Sequence, residues 1–105
     1  MTVRHIVMWR VRGSDLHEQI GARQRVKRAF ESLRGRIPGL LRLEVGIDTS
    51  RVEYACDVVL VTDFESQAAL DAYAEHPEHL RVRAELGSLR TSRHQVDYAV
   101  DAQQA

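Results

Sequence analysis

Residues 2–11 alternate between apolar and polar side chains, which predicts a β-strand. Residues 15–34 change to helical spacing, with Ser14 as the expected N-cap, and residues 41–47 return to the alternation of a strand. The first strand divides its side chains between two faces, Val3, His5, Val7 and Trp9 on one and Arg4, Ile6, Met8 and Arg10 on the other. The helix carries a continuous apolar stripe formed by Val26, Phe30, Leu33 and Ile37.

The second half of the chain repeats this order with one interruption. Residues 54–64 predict a strand whose centre, residues 58–61, is apolar without alternation, as expected where both faces of a sheet are covered. Ser66 is the expected N-cap of the next helix. Pro77 breaks that helix and starts about two more helical turns, and residues 90–100 predict the last strand.

The order of elements is therefore β-α-β-β-α-β, which predicts an α+β, ferredoxin-like domain with four antiparallel strands and its helices on one face. The other face of the sheet would be bare in a single protomer. Ile6, Met8, Val59 and Val61 would then form an exposed apolar patch, and such a patch is usually an interface. A two-fold symmetric pair buries it with one self-complementary surface, so we expect a homodimer through the sheet face.

Composition narrows the classes of function. Lys and Arg number 15 and Asp and Glu number 15, so the balanced charge argues against nucleic-acid and membrane partners. Cys56 is the one cysteine, the first residues do not resemble a signal peptide, and no apolar run reaches the ~20 residues of a membrane span, so we expect a cytoplasmic protein. Residues 1–100 form one domain, and residues 101–105 form a polar tail predicted to be disordered.

The chemistry is expected where the second helix breaks. Tyr73 and His76 are three residues apart on one helical face, and His79 follows across the bend. An imidazole exchanges protons near neutral pH, and a phenol donates a hydrogen bond to a carbonyl or enolate oxygen. His5, on the strand face that carries Trp9, would orient a substrate. Each residue also has a structural interpretation: Tyr73 as core, His76 as a helix cap, and His5 and His79 as satisfied by one hydrogen bond each.

Other residues give weaker signals. The candidates for substrate binding are Val7, Trp9, Phe30, His76 and Leu86, with ordinary core, or a helix cap for His76, as the alternative. A metal site is not expected, because His76 and His79 lack further ligands at matching spacing. We therefore expect neither a metal nor another cofactor.

Several stretches, in this order, resemble the Dabb family, the stress-responsive dimeric α/β-barrel domain. They are Arg4–Val11, Ile37–Gly39 with Leu43–Gly46, Asp57–Phe64 leading to Tyr73 and His76–His79, and Val96–Tyr98. The resemblance implies a ferredoxin-like protomer that dimerises into a barrel. In olivetolic acid cyclase, a plant member, a Tyr and a His similar to Tyr73 and His79 catalyse an aldol cyclisation without cofactor, and a strand-one His is similar to His5. A further His on its third strand has no counterpart in Cys56-Asp57-Val58-Val59.

The resemblance leaves three functions open. The first is a cofactor-free polyketide cyclase or isomerase that acts on a small carbonyl compound through Tyr73, His79 and His5. The second is a non-catalytic stress-response or ligand-binding dimer. The third is a cofactor-free monooxygenase of the antibiotic-biosynthesis type, which uses the same dimeric barrel.

Overall fold

A computed structural model of the chain describes residues 1–100, and the predicted tail, residues 101–105, lies outside the described residues. The strands are Val3–Val11 (β1), Leu40–Ile47 (β2), Val58–Phe64 (β3) and Arg90–Ala99 (β4). The helices are Leu16–Glu31 (α1), Gln67–Glu75 (α2) and Pro77–Leu86 (α3). The predicted order of elements is confirmed, including the interruption that separates α2 from α3.

The strands form one antiparallel sheet in the order β2-β3-β1-β4. His5 of β1 pairs with Thr62 of β3 on one side and with Asp97 of β4 on the other. This arrangement is the ferredoxin-like fold, so the predicted fold class is confirmed. The register also fixes which side chains of neighbouring strands share a face, because side chains alternate along each strand.

The helices cover one face of the sheet, which we call the inner face. The side chains of β1 that alternate as Val3, His5, Val7 and Trp9 are all buried there. The predicted apolar stripe, which runs along α1 and the turns after it, packs against these side chains. Its members Val26, Phe30, Leu33 and Ile37 are buried. The core is therefore the layer between α1–α3 and the inner face, as the helical and strand periodicities predicted.

Two local predictions are wrong in detail. The third strand begins at Val58 rather than residue 54, because the Asp57 carboxylate accepts the backbone N–H of Val11 at 2.8 Å and takes the place of a ladder bond. Asp15, rather than Ser14, caps α1 by accepting the N–H of Glu18 at 2.8 Å. Ser14 precedes the cap and instead donates its own N–H and hydroxyl to the Glu18 carboxylate.

The opposite, outer face of the sheet carries the apolar patch that the sequence predicted. Ile6, Met8, Val59 and Val61 are only half-buried in the protomer. The register places Val96 beside Ile6, and Val96 is 62% exposed. Within residues 1–100, no helix is long and apolar enough to cross a membrane.

Candidate functional site

Tyr73 lies at the centre of a cluster of rings. Its side chain points from α2 into the protein and is 4% exposed. Its ring centroid is 4.4 Å from that of His79, 5.2 Å from Phe64 and 6.3 Å from His5. The fold thus brings the three residues predicted to be catalytic together from β1, α2 and α3. We call Tyr73, His79 and His5 the Tyr–His cluster.

The bend between α2 and α3 positions His79. His76 has an extended backbone there, and its Nδ1 accepts the N–H of Glu78 at 3.0 Å, so His76 caps α3. Pro77 occupies the first helical position, where its missing N–H leaves no bond unmade. One turn later, His79 Nδ1 donates to the carbonyl of Ala74 at 3.0 Å. That bond ties the start of α3 to the end of α2 and leaves Nε2 of His79 with its lone pair.

His5 has a partner that sequence analysis missed. Its Nδ1 lies 2.6 Å from Oδ1 of Asp97, directly opposite on β4. The carboxylate accepts the Nδ1–H and so holds the ring in the tautomer with a free lone pair on Nε2. The signal was present in the sequence: Arg93, Gln95 and Asp97 alternate on one side of β4, although that side faces the helices.

The electrostatic environment separates the protonation states of Tyr73 and His79. Burial raises the pKa of Tyr73 to about 12, although Arg90 and Arg93 oppose this shift. Burial also lowers the pKa of His79, assisted by the positive charges of Arg83, Arg90 and Arg93. At neutral pH the phenol therefore keeps its proton and can donate it in a hydrogen bond. The neutral imidazole beside it can accept a proton, as general acid–base chemistry requires.

The residues predicted to line a pocket are packed as core. Trp9 and Phe30 are stacked with ring centroids 4.9 Å apart, and Val7 and Leu86 are buried beside the same layer. Their role in substrate binding stays a prediction, as does that of His76, whose visible contact is the cap of α3. The opening next to these rings is lined by Trp9 together with three arginines, and Arg90 lies over the Trp9 ring at 5.1 Å.

No group of three His, Cys, Asp or Glu side chains in the described part of the chain could hold a metal ion. Cys56 is a half-buried free thiol at the edge of the outer face, beside a hollow of about 260 Å³. The groups that the fold supplies around Tyr73 are thus proton donors, proton acceptors and guanidinium cations.

A ferredoxin-like sheet with a ring cluster under its helices and an apolar outer face defines the class of dimeric α/β-barrel domains. The stress responsive A/B barrel domain (Dabb) matches residues 3–100, and the chain belongs to this family. The family resemblance noted from the sequence is therefore confirmed.

Solved structures agree with this assignment. A dimeric protein of unknown function with a ferredoxin-like fold from Bacteroides fragilis is 29% identical, with a TM-score of 0.83, over 94% of this chain and 96% of that chain. A dimeric ferredoxin-like protein of unknown function from Thermobifida fusca is 26% identical, with a TM-score of 0.78, over 95% and 92% of the two chains. A comparison with curated proteins gave no match.

One structural neighbour is an enzyme. The hydroxynitrile lyase from Passiflora edulis has a TM-score of 0.76 and 18% identity, over 96% of this chain and 94% of that chain. At this identity the likeness shows the shared fold alone. An activity for the present chain has to be argued from its own site.

Proposed function

We propose that this Dabb protein is a cofactor-free acid–base enzyme that moves a proton at the carbon next to a carbonyl group, as a polyketide cyclase or isomerase does. The observation that carries the proposal is the contact between Tyr73 and His79, whose rings are 4.4 Å apart. Their pKa values are shifted away from each other, upward for Tyr73 and downward for His79. Pairs of titratable groups with diverging pKa values are typical of acid–base sites.

In the proposed reaction, the Tyr73 hydroxyl donates a hydrogen bond to the substrate carbonyl oxygen. Nε2 of His79 removes a proton from the adjacent carbon, and the electron pair of the broken C–H bond forms an enolate stabilised by Tyr73. In an isomerase, the proton returns to another carbon. In a cyclase, the enolate carbon bonds to a second carbonyl carbon of the same molecule, and the new alkoxide takes the proton back from His79.

His5 has the positioning role in this proposal. Its bond to Asp97 fixes its orientation, and its ring meets that of Tyr73 edge-on at 71°. The free Nε2 of His5 can accept a hydrogen bond from a hydroxyl or enol group of the substrate. The hydroxynitrile lyase of Passiflora edulis supports the wider claim that this fold accommodates catalysis.

Deuterium exchange tests the proposal without knowledge of the natural substrate. A panel of aryl methyl ketones and 3-oxo esters is incubated in D₂O, and loss of the proton signal next to the carbonyl is followed by NMR. Removing one general acid–base group typically lowers a rate by about 10²–10⁴-fold, and we expect this of Tyr73→Phe and of His79→Ala. Tyr54→Phe and His17→Ala are matched controls, because both side chains are exposed. Equal rates in wild type and both site variants would contradict the proposal.

A non-catalytic ligand-binding dimer is the second candidate. It is favoured by the bond from His79 to the Ala74 carbonyl and by the close stacking of Trp9 on Phe30, both of which stabilise structure. Exchange at no ketone in the panel, together with no oxygen uptake when phenols are added, would support it. Oxygen uptake that depends on a phenol would instead identify a monooxygenase.

We also propose that the protein is a homodimer through the outer face of the sheet. Support comes from the patch of Ile6, Met8, Val59 and Val61, which α1–α3 leave half-buried, and from the exposed Val96 beside it. The similar proteins from Bacteroides fragilis and Thermobifida fusca are dimeric. A cytoplasmic location, a small carbonyl ligand and the lack of nucleic-acid and membrane partners stay predictions from the sequence.

A further inference from the structure

A groove of about 340 Å³ opens at the start of β4, on the inner side of the sheet. Arg90 and Arg93 of β4 and Arg83 of α3 line it, together with Trp9 and Ser92. We call it the arginine groove. No acidic residue lines it, so three guanidinium groups face one opening with only neutral neighbours. Such an opening concentrates positive potential and attracts anions.

Arg90 differs from the other arginines that are not exposed because it lacks a counter-ion. Within residues 1–100, Arg4, Arg23 and Arg90 are the arginines that are not exposed. Arg4 pairs with Asp63 at 2.8 Å, and Arg23 pairs with Asp57 at 2.9 Å. Arg90 has no ion pair within the described part of the chain. A half-buried cation without a carboxylate partner destabilises the free protein, and binding of an anion would remove that cost.

Packing holds Arg90 in place. Its guanidinium carbon lies 5.1 Å from the centroid of the Trp9 ring and 5.6 Å from that of Phe30, which is the geometry of cation–π contact. Burial and the charges of Arg93 and Arg83 disfavour its protonated form, so its pKa is lowered. The guanidinium fork is thus fixed and partly desolvated before any ligand arrives, which lowers the entropy lost on binding.

A row of hydrogen bonds connects the arginine groove to the Tyr–His cluster. Arg93 donates to the side-chain oxygen of Gln95, Gln95 donates to Asp97 at 3.0 Å, and Asp97 accepts from His5 at 2.6 Å. These four side chains form one hydrogen-bonded row along the inner side of β4 and β1. An anion held at Arg90 and Arg93 would therefore lie beside one end of this row, and the buried His5 forms the other end.

From this arrangement we infer that the arginine groove binds the carboxylate of the substrate, which makes the substrate an oxo acid. The carboxylate lies on the guanidinium groups of Arg90 and Arg93, with Arg83 adding charge, and the carbonyl lies toward Tyr73. The position of the carbonyl rests on the proposed function, whereas the anion site does not. A guanidinium binds a carboxylate through two parallel hydrogen bonds, which fixes the direction of the molecule as well as its affinity.

Trp9 is the single tryptophan of the chain and lines the groove, so its fluorescence reports on binding directly. The protein as purified is titrated with 5-oxohexanoate, with its methyl ester as the neutral analogue, and with inorganic phosphate as a simple anion. We expect the ester to bind at least about tenfold more weakly than the acid. Arg93→Gln and Arg90→Gln should each weaken binding of the acid about tenfold and leave binding of the ester unchanged. Arg25→Gln, an exposed arginine outside the groove, is the matched control.

Equal affinity for acid and ester, or unchanged affinity in both groove variants, would overturn the inference. Phosphate binding as tightly as 5-oxohexanoate would overturn it as well, because the site would then not select an oxo acid. If Arg90→Gln does not fold, since Arg90 packs on Trp9, Arg93→Gln and Arg83→Gln carry the test from exposed positions. Tyr73→Phe should still bind the acid, because Tyr73 does not line the groove. Wild-type protein that binds the acid without exchanging its protons would refute the proposed function and leave the anion site standing.

Discussion

Replacing Tyr73 with Phe tests the proposed catalytic role of its hydroxyl separately from its role in stability. The Tyr73 ring packs between Phe64 and His79, and Phe keeps those contacts. No hydrogen bond is among the causes that shift the pKa of Tyr73: burial raises this pKa, and Arg90 and Arg93 oppose the rise. Within residues 1–100, the side-chain polar atom that is both inaccessible to solvent and without a hydrogen-bond partner is Nε of Arg23. The Tyr73 hydroxyl is not such an atom, so it keeps some exposure to solvent. The substitution therefore removes a hydroxyl that the fold leaves free for a ligand.

The expected stability change follows from this environment. A buried polar group without a partner is unfavourable by roughly 1–3 kcal/mol, and partial access reduces that figure. We expect Tyr73→Phe to change the free energy of unfolding by between zero and about +1 kcal/mol, toward greater stability. Thr62→Val is the matched control, because the buried Thr62 hydroxyl donates to the carbonyl of His5 at 3.2 Å. Losing that bond should destabilise the protein by about 1 kcal/mol.

Urea unfolding at pH 7 and one fixed protein concentration measures both variants, since the midpoint of a dimer depends on concentration. Deuterium exchange at a responsive ketone measures their activity. We expect the two variants to differ in opposite ways: Tyr73→Phe should be stable and inactive, and Thr62→Val should be less stable and active. A loss of more than about 1 kcal/mol in Tyr73→Phe would show that its hydroxyl is part of the structure, and the argument for a free proton donor would fail.

Three further predictions follow from the same contacts. Burial lowers the pKa of His79, so on acidification His79 takes up a proton in the unfolded chain before it does so in the folded protein. Stability should therefore fall as the pH drops below about 6.5. A pH series of thermal melts should show this dependence flattened in His79→Gln. Asp97→Asn should leave His5 without its carboxylate and lower the exchange rate by about tenfold with a small change in melting temperature, whereas an unchanged rate would remove His5 from the site. If the proposed dimer forms through the outer face, Val61→Asp should give a single protomer in light scattering, whereas Val52→Asp, in an exposed loop, should not.

The fold could be predicted because its signals are local. Alternation in residues 2–11, the apolar stripe of α1 and the break at Pro77 each follow from a few neighbouring residues. The start of β3 could not be predicted in this way. Its boundary depends on Asp57, whose carboxylate bonds to the backbone of Val11 and to Arg23, and both partners are distant in sequence.

The candidate site likewise combines residues that are close in sequence with residues that only the fold brings together. Tyr73, His76 and His79 lie within one bend, so their proximity is encoded locally. Asp97 could not be paired with His5 without the register of β1 against β4, because sequence analysis assigned those strands a common sheet but no alignment. Arg90 was missed for a different reason. In the sequence it is one of many arginines, and only the fold shows that it is half-buried and lacks the Asp partner that Arg4 has.

The location of the site follows from an imbalance in how the sheet is covered. The helices pack against β1, β2 and β3, whereas β4 is an edge strand whose side chains are mostly exposed. Its inner side can therefore carry Arg93, Gln95 and Asp97 without the penalty of burying them. β1, next to it, is covered and supplies buried rings. Along the border between β1 and β4, the exposed charged side chains of β4 therefore lie next to the buried rings of β1. The proposed reaction needs both environments within the length of one substrate molecule, because it holds an ionic group and activates a carbon next to a carbonyl. In this fold the two environments meet along that border.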